Sequence, residues 1–301
     1  MPGDRTTRLA SLIVIGTGAL WGLYWVPVRR LGELALPGGW GTLAIVATAA
    51  LLLAPVALAR RRRLTRADPW ALASVALGGV AFALYSVGFV YGRVAIIILL
   101  FFLTPVWSTL IGRYVMGWST PPLRLAAIVV GLAGLGVMLG ADGELPLPRG
   151  AGEWLALVSG LLWSIATTGI RSRLIVAPAE AAFVFALGGC AGTLVLAPFL
   201  EPWPPGVAPE HVVATIGWAI AAGGLWWGLS MASLMWATAR LEPARVGILL
   251  MTEVVVGALS AAALAGEHLG AREFAGGALV LGAGLMEVWP IRCNEARSAR
   301  G

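Results

Sequence analysis

Lysine is missing from this 301-residue chain, only 12% of its residues are charged, and cysteine and histidine occur twice each. Each shortage removes a class of function. Cys190, inside an apolar run, and Cys293, near the end of the chain, occupy different environments and make no disulfide framework. With no Cys, His and acid cluster at ligand spacing, the sequence nominates neither a metal site nor a cofactor. No arginine lies in the middle of an apolar run, so a phosphorylated substrate would find no buried counter-charge. Nucleotide sugars and sugar phosphates are therefore disfavoured.

What the chain has is grease. Hydrophobic residues make up 59%, and the mean hydropathy is +0.87, far from the usage of a soluble domain. A membrane span needs about 20 mostly apolar residues. The sequence predicts ten, near 9–28, 40–59, 70–91, 94–116, 122–140, 153–171, 179–199, 212–238, 244–266 and 270–289. The runs are continuous, without the alternation of barrel strands, so the expected fold class is an all-α membrane protein embedded in the lipid bilayer. The first run is too long for the apolar core of a signal peptide and is expected to remain in the protein.

All 21 basic residues are arginine. With the N-terminus inside, 16 fall on the cytoplasmic side, while Arg29, Arg30, Arg93, Arg149 and Arg272 fall opposite. The positive-inside rule reads this split as both termini cytoplasmic. The "RRRR" run at 60–63 lies in a short loop between two spans, where it is a topology anchor with no nucleic-acid partner implied.

The halves of the chain resemble each other. Trp21 and Arg29 pair with Trp163 and Arg171 at an offset of 142 residues, and "LGGV" (77–80) pairs with "AGGL" (222–225) at 145. Thr104 and Gly117 pair with Glu253 and Gly266 at 149, and "GLGVM" (134–138) pairs with "GAGLM" (282–286) at 148. Four matches in register order predict a duplicated five-helix unit. Because five is odd, the second unit threads the membrane in the opposite sense. The expectation is two inverted repeats, 1–145 and 146–291, followed by a short cytoplasmic tail at 292–301. Inverted repeats build many midplane transporter sites, and they also occur in channels.

Three stretches, "ALWGLYWVPVR", "GEWLALVSGLLWSIATTGIRSR" and "PARVGILLMTEVVVGALSAAALAGEHLGAREFAGGALVLGAGL", resemble the ten-helix exporters of the drug/metabolite transporter superfamily, with EamA-type repeats. Two positions depart from the family pattern: Val254 stands where proline is common, and Trp118 where an acid often follows Gly117. The resemblance implies ten helices around a central cavity lined by helices 1, 3, 4, 6, 8 and 9. It further implies a bacterial inner (plasma) membrane location and export of small metabolites, often amino acids.

On those helices the substrate-binding candidates are Trp21, Tyr24, Tyr85, Phe89, Thr104, Trp107, Trp163, Trp227, Ser230 and Glu253. Aromatic faces attract an ammonium group and cover an apolar side chain, so amino acids with apolar or aromatic side chains suit these walls. The same rings also serve packing and the interfacial belt in membrane proteins, and that reading stays open. Pro105 frees the carbonyl of Phe101 and is expected to kink helix 4, with a gating role. Glu253, a carboxyl mid-span, costs a few kcal/mol to insert and needs a partner or a task. It would contact a substrate ammonium, carry a proton in exchange for substrate, or bond within a contact between helices 4 and 9.

Two other classes compete with the secondary transporter. A passive channel for small solutes fits the composition, although rings of charge for an ion pore are missing. An intramembrane enzyme has only "GLSMA" (228–232) in its favour, a faint nucleophilic-serine setting, and both histidines sit at span ends. No catalytic residue is nominated.

Overall fold

A computed structural model describes residues 4–117, 122–140, 147–173, 177–238, 240–241 and 243–288. These residues form helices and connecting turns, with no strand among them. Ten helical stretches correspond to the ten expected spans: α1 (Arg5–Leu34), α2 (Gly39–Ala59), α3 (Pro69–Tyr91), α4 (Val94–Tyr114), α5 (Pro122–Leu139), α6 (Ala151–Arg173), α7 (Pro178–Leu200), α8 (Pro209–Thr238), α9 (Pro243–Leu250 and Thr252–Leu264) and α10 (Ala271–Val288). The first eight are long and apolar enough to cross a bilayer. The apolar part of α9, Ile248–Leu264, is shorter, and the polar first turn of α10 carries Arg272 and Glu273. The expected tail 292–301, Cys293 and Trp118 lie outside the described residues.

Local sequence sets the helix ends. Pro69, Pro178 and Pro209 open α3, α7 and α8, where a missing N–H costs nothing. At α3 the Asp68 carboxylate also accepts the Trp70 N–H at 3.0 Å. Gly117 and Gly266 follow the ends of α4 and α9 with φ of +67° and +64°, a left-handed conformation that a side chain would strain.

Three helices are interrupted near mid-depth. α1 breaks at Leu23–Tyr24, α4 at Phe102–Leu103 and α9 at Met251, and at each the chain tightens into i→i−3 bonds. The ninth span was expected to be continuous, and proline gives no account of its break. Residues 102 and 251 differ by the same 149 that separates Gly117 from Gly266. α8 instead contains a π-helical stretch, Ala222–Ser230.

The packing has a regular pattern. α3 lies against α6 and α7, α8 against α1 and α2, α4 against α6, and α9 against α1, while α2 meets α7, α4 meets α9 and α5 meets α10. Exchanging each helix for the one five places away maps this set onto itself. The crossings are close because glycine lines them. A Cβ on Gly22 of α1 would lie 2.7 Å from the Glu253 carbonyl oxygen and 2.8 Å from the Gly257 nitrogen, and one on Gly134 of α5 would lie 2.7 Å from the Gly276 carbonyl of α10.

Not every GxxxG spacing is used this way. In "GLWWG" it is Gly223, just before the motif, that abuts α2, and in "GVMLG" Gly136 meets nothing within 4 Å. Large apolar side chains such as Leu51, Val129, Phe199 and Leu259 remain exposed on the outside, as lipid contact requires.

Candidate functional site

The site is built where the interrupted helices meet. At the α4 break, Pro105 cannot donate to the Phe101 carbonyl, and the Thr104 hydroxyl donates to it instead at 2.6 Å. Ser164 of α6 donates to the Thr104 carbonyl at 3.0 Å. The freed carbonyl is therefore covered by a hydroxyl of its own helix, as the bilayer interior demands, and the Ser164 hydroxyl is shared with the Gly160 carbonyl at 2.8 Å. Thr104, Pro105 and Trp107 are half-buried there. The indole N–H of Trp107 is enclosed yet has no hydrogen-bond partner among the described residues, a donor left for a ligand or water.

At the α9 break, Glu253 is buried and accepts a hydrogen bond from the Tyr85 hydroxyl of α3 at 2.9 Å. Its partner is thus on helix 3, where the sequence suggested a contact within helices 4 and 9. Tyr85 also stacks on Phe101, the last residue before the α4 break, with ring centroids 4.5 Å apart. One tyrosine therefore touches both breaks. Thr104 and Glu253, paired by the repeat, direct their polar atoms to different partners.

Around this pair the nominated rings form a connected network. The Trp21 indole N–H donates to Ser230 Oγ at 2.9 Å, and Trp227 Nε1 donates to Tyr24 Oη at 2.9 Å. Tyr24 Oη lies 3.1 Å from Ser86 Oγ, which is 2.7 Å from Thr42 Oγ1. Phe89 sits edge-on to Tyr85 with centroids 4.7 Å apart. Trp21, Tyr24, Tyr85, Phe89, Trp227 and Ser230 are all buried, whereas Trp163 is half-buried. In this conformation most of the nominated rings pack on one another; partial exposure among them is confined to Thr104, Trp107 and Trp163.

Sequence reasoning missed the hub. Phe82 of α3 meets Trp21 at 5.0 Å, Trp163 at 4.9 Å, Phe185 at 5.4 Å, Phe101 at 5.5 Å and Trp227 at 6.4 Å. It lies one turn before Tyr85, and that i, i+3 spacing was the available signal. Phe185 belongs to α7, a helix outside the expected cavity set. The π-helical stretch was also unannounced; it carries Trp226, Trp227 and Ser230 inward, and such stretches recur at functional sites.

Ser230 donates to the Trp226 carbonyl at 2.5 Å while accepting from Trp21, so its hydroxyl is engaged on both sides. His211 Nδ1 lies 3.0 Å from the Leu34 carbonyl. Trp40, at the start of α2, is buried, with its indole N–H on the Pro202 carbonyl at 3.0 Å. A separate apolar groove of about 250 Å³ lies between α4, α9 and α10, bordered by Leu99, Val255, Leu259 and Phe274. Val255, Leu259 and Phe274 are exposed along it, and none of the rings of the aromatic network lines it.

The fold and site define a polytopic helical membrane protein with a polar seam at mid-depth. Residues 8–140 match the EamA-like transporter family, a similarity consistent with the drug/metabolite transporter superfamily. That match indicates an integral membrane transporter of small solutes. A solved structure, titled only "Crystal structure of protein", is similar over 92% of this chain and 95% of its own, with a TM-score of 0.59 and 20% sequence identity. The two share a fold. No curated protein matches the chain.

Proposed function

We propose that this protein is a secondary transporter that exports small metabolites, chiefly amino acids with apolar or aromatic side chains, by alternating access. The site lies between two inverted five-helix repeats, 1–145 and 146–291, in a bacterial inner membrane with both termini cytoplasmic. The helix contacts that survive a five-place exchange, the breaks at 102–103 and 251, and the paired left-handed glycines support the repeat. The observation that carries the reading is Tyr85, which joins the α4 break by stacking on Phe101 and the α9 break by bonding to Glu253.

An amino acid has three parts to recognise, and the seam has a counterpart for each. Glu253 and the ring faces suit the ammonium. The half-helix starting at Thr104 presents its N-terminal end to a carboxylate. Phe82, Trp163 and Phe185 offer apolar surface to a side chain. An enzyme reading finds no base on Ser230, whose hydroxyl is held between Trp21 and Trp226.

Purified protein in liposomes, tested against an amino-acid panel with and without a proton gradient, checks the proposal. Saturable flux selective for apolar or aromatic amino acids is expected. Linear, unselective flux would make it a pore, and product formation without flux an enzyme.

A further inference from the structure

The seam is bolted at the side opposite the N-terminus, and the bolt joins the two halves of the chain. Arg29, near the end of α1, donates through Nε to the Phe89 carbonyl and through Nη2 to the Gly92 carbonyl, both at 2.9 Å, closing the C-terminal end of α3. Glu267, just after α9, accepts the Val94 N–H at 3.0 Å and the Ala95 N–H at 3.4 Å, closing the N-terminal end of α4. Arg29 Nη2 and Glu267 Oε1 are themselves 3.0 Å apart, and both side chains are largely buried. A cation on the negative end of one helix and an anion on the positive end of the next are thus paired with each other. Each interaction strengthens the other two. A second strut, Arg93 to Glu273, also crosses between the halves, with Arg93 reaching the His268 carbonyl as well.

The repeat says what should stand at the cytoplasmic end, and the chain does not have it. Arg29 corresponds to Arg171, but Glu267 corresponds to Trp118 and Val94 to Pro243, so both the carboxylate and its first backbone donor are replaced. The second strut survives in the sequence with its charges exchanged, as Glu242 and Arg124. Trp118 and Glu242 lie outside the described residues. Partial exposure in the seam falls at Thr104, Trp107 and Trp163, while Trp25, Phe89 and Val94 nearer the bolt are buried.

We propose that Glu267, clamped by Arg29 and the first turn of α4, is the latch of the outer gate. Because Trp118 and Pro243 remove its cytoplasmic counterpart, the resting transporter stands closed outside and open to the cytoplasm, ready to load an exported solute. This inference rests on the transporter reading above. Breaking the latch shifts the population toward the outward-open state by the free energy the latch contributes.

Thiol accessibility tests it without a known substrate. In a chain with Cys190 and Cys293 replaced by alanine, Thr104→Cys supplies one thiol in the seam. A membrane-impermeant maleimide is added to either face of oriented vesicles, with size-exclusion profiles as the check on folding. The parent is expected to label from the cytoplasmic face. Glu267→Gln should raise the outer-face rate about tenfold, the change a shift of roughly 1.4 kcal/mol produces. Trp118→Glu, which leaves the latch intact, should slow cytoplasmic-face labelling several-fold and is decisive if Glu267→Gln does not fold. Labelling that occurs but changes less than about twofold in both variants, or a parent labelled from outside, overturns the latch alone. No labelling from either face in any variant removes the seam cavity and the transporter reading with it.

Discussion

Glu253 concentrates the question of what this site does. Among the described residues this buried carboxyl has one short bond, from Tyr85, and no neighbouring cation to neutralise it. Glu253→Gln keeps an acceptor for Tyr85 but removes the charge offered to an ammonium. The half-saturating substrate concentration is therefore expected to rise at least about tenfold while the melting temperature in detergent changes little. Wild-type flux in this variant at every pH would leave Glu253 a structural residue.

Phe82 makes the opposite kind of claim. It touches six other rings and carries no polar group, so Phe82→Ala should cost about 3–5 kcal/mol of stability. The loss would appear as a lowered unfolding midpoint in detergent before any transport is measured. An unchanged midpoint would mean that the network is not a packed unit.

At the scale of helices, the account depends on how closely they cross. Gly22 leaves no room for a side chain against α9, whereas Gly16, less than two turns earlier, has nothing within 4 Å. Gly22→Leu is expected to abolish the folded peak in size-exclusion profiles, and Gly16→Ala to leave it unaltered. Equal behaviour of the two variants would contradict the α1–α9 contact.

This contrast also shows what a one-dimensional pattern holds. Hydropathy announces ten helices, because the bilayer acts on each stretch of chain separately. The proposed repeat was legible through Trp21 and Trp163, Thr104 and Glu253, because a duplication would preserve spacing. The Thr104 hydroxyl on the Phe101 carbonyl was within reach of local reasoning, since the proline and its rescuer are neighbours. Tyr85 as the partner of Glu253 was not, because that bond spans 168 residues and depends on the angle at which α3 and α9 pass. Phe185 was hidden for the same reason. Gly136 and Gly223 show that GxxxG spacing marks a permissive surface, while the neighbour decides which glycine is used.

For the whole molecule, the proposed topology, which rests on the arginine distribution and the odd-numbered repeat, has both termini on the cytoplasmic face. Tags at the two ends, tested by protease protection in oriented vesicles, should be cut from the same side. Opposite sides would break the odd-numbered inverted repeat, and the latch assignment would fall with it. The proposed mechanism further requires that the seam open to one face at a time. Counterflow tests this most directly: proteoliposomes preloaded with an unlabelled aromatic amino acid are diluted into a trace of the labelled one. A carrier alternating at the seam should accumulate label transiently above its equilibrium level, and the overshoot should be lost when Glu253 or Trp21 is changed. Label that rises only to equilibrium, at a rate indifferent to the preload, would contradict alternating access.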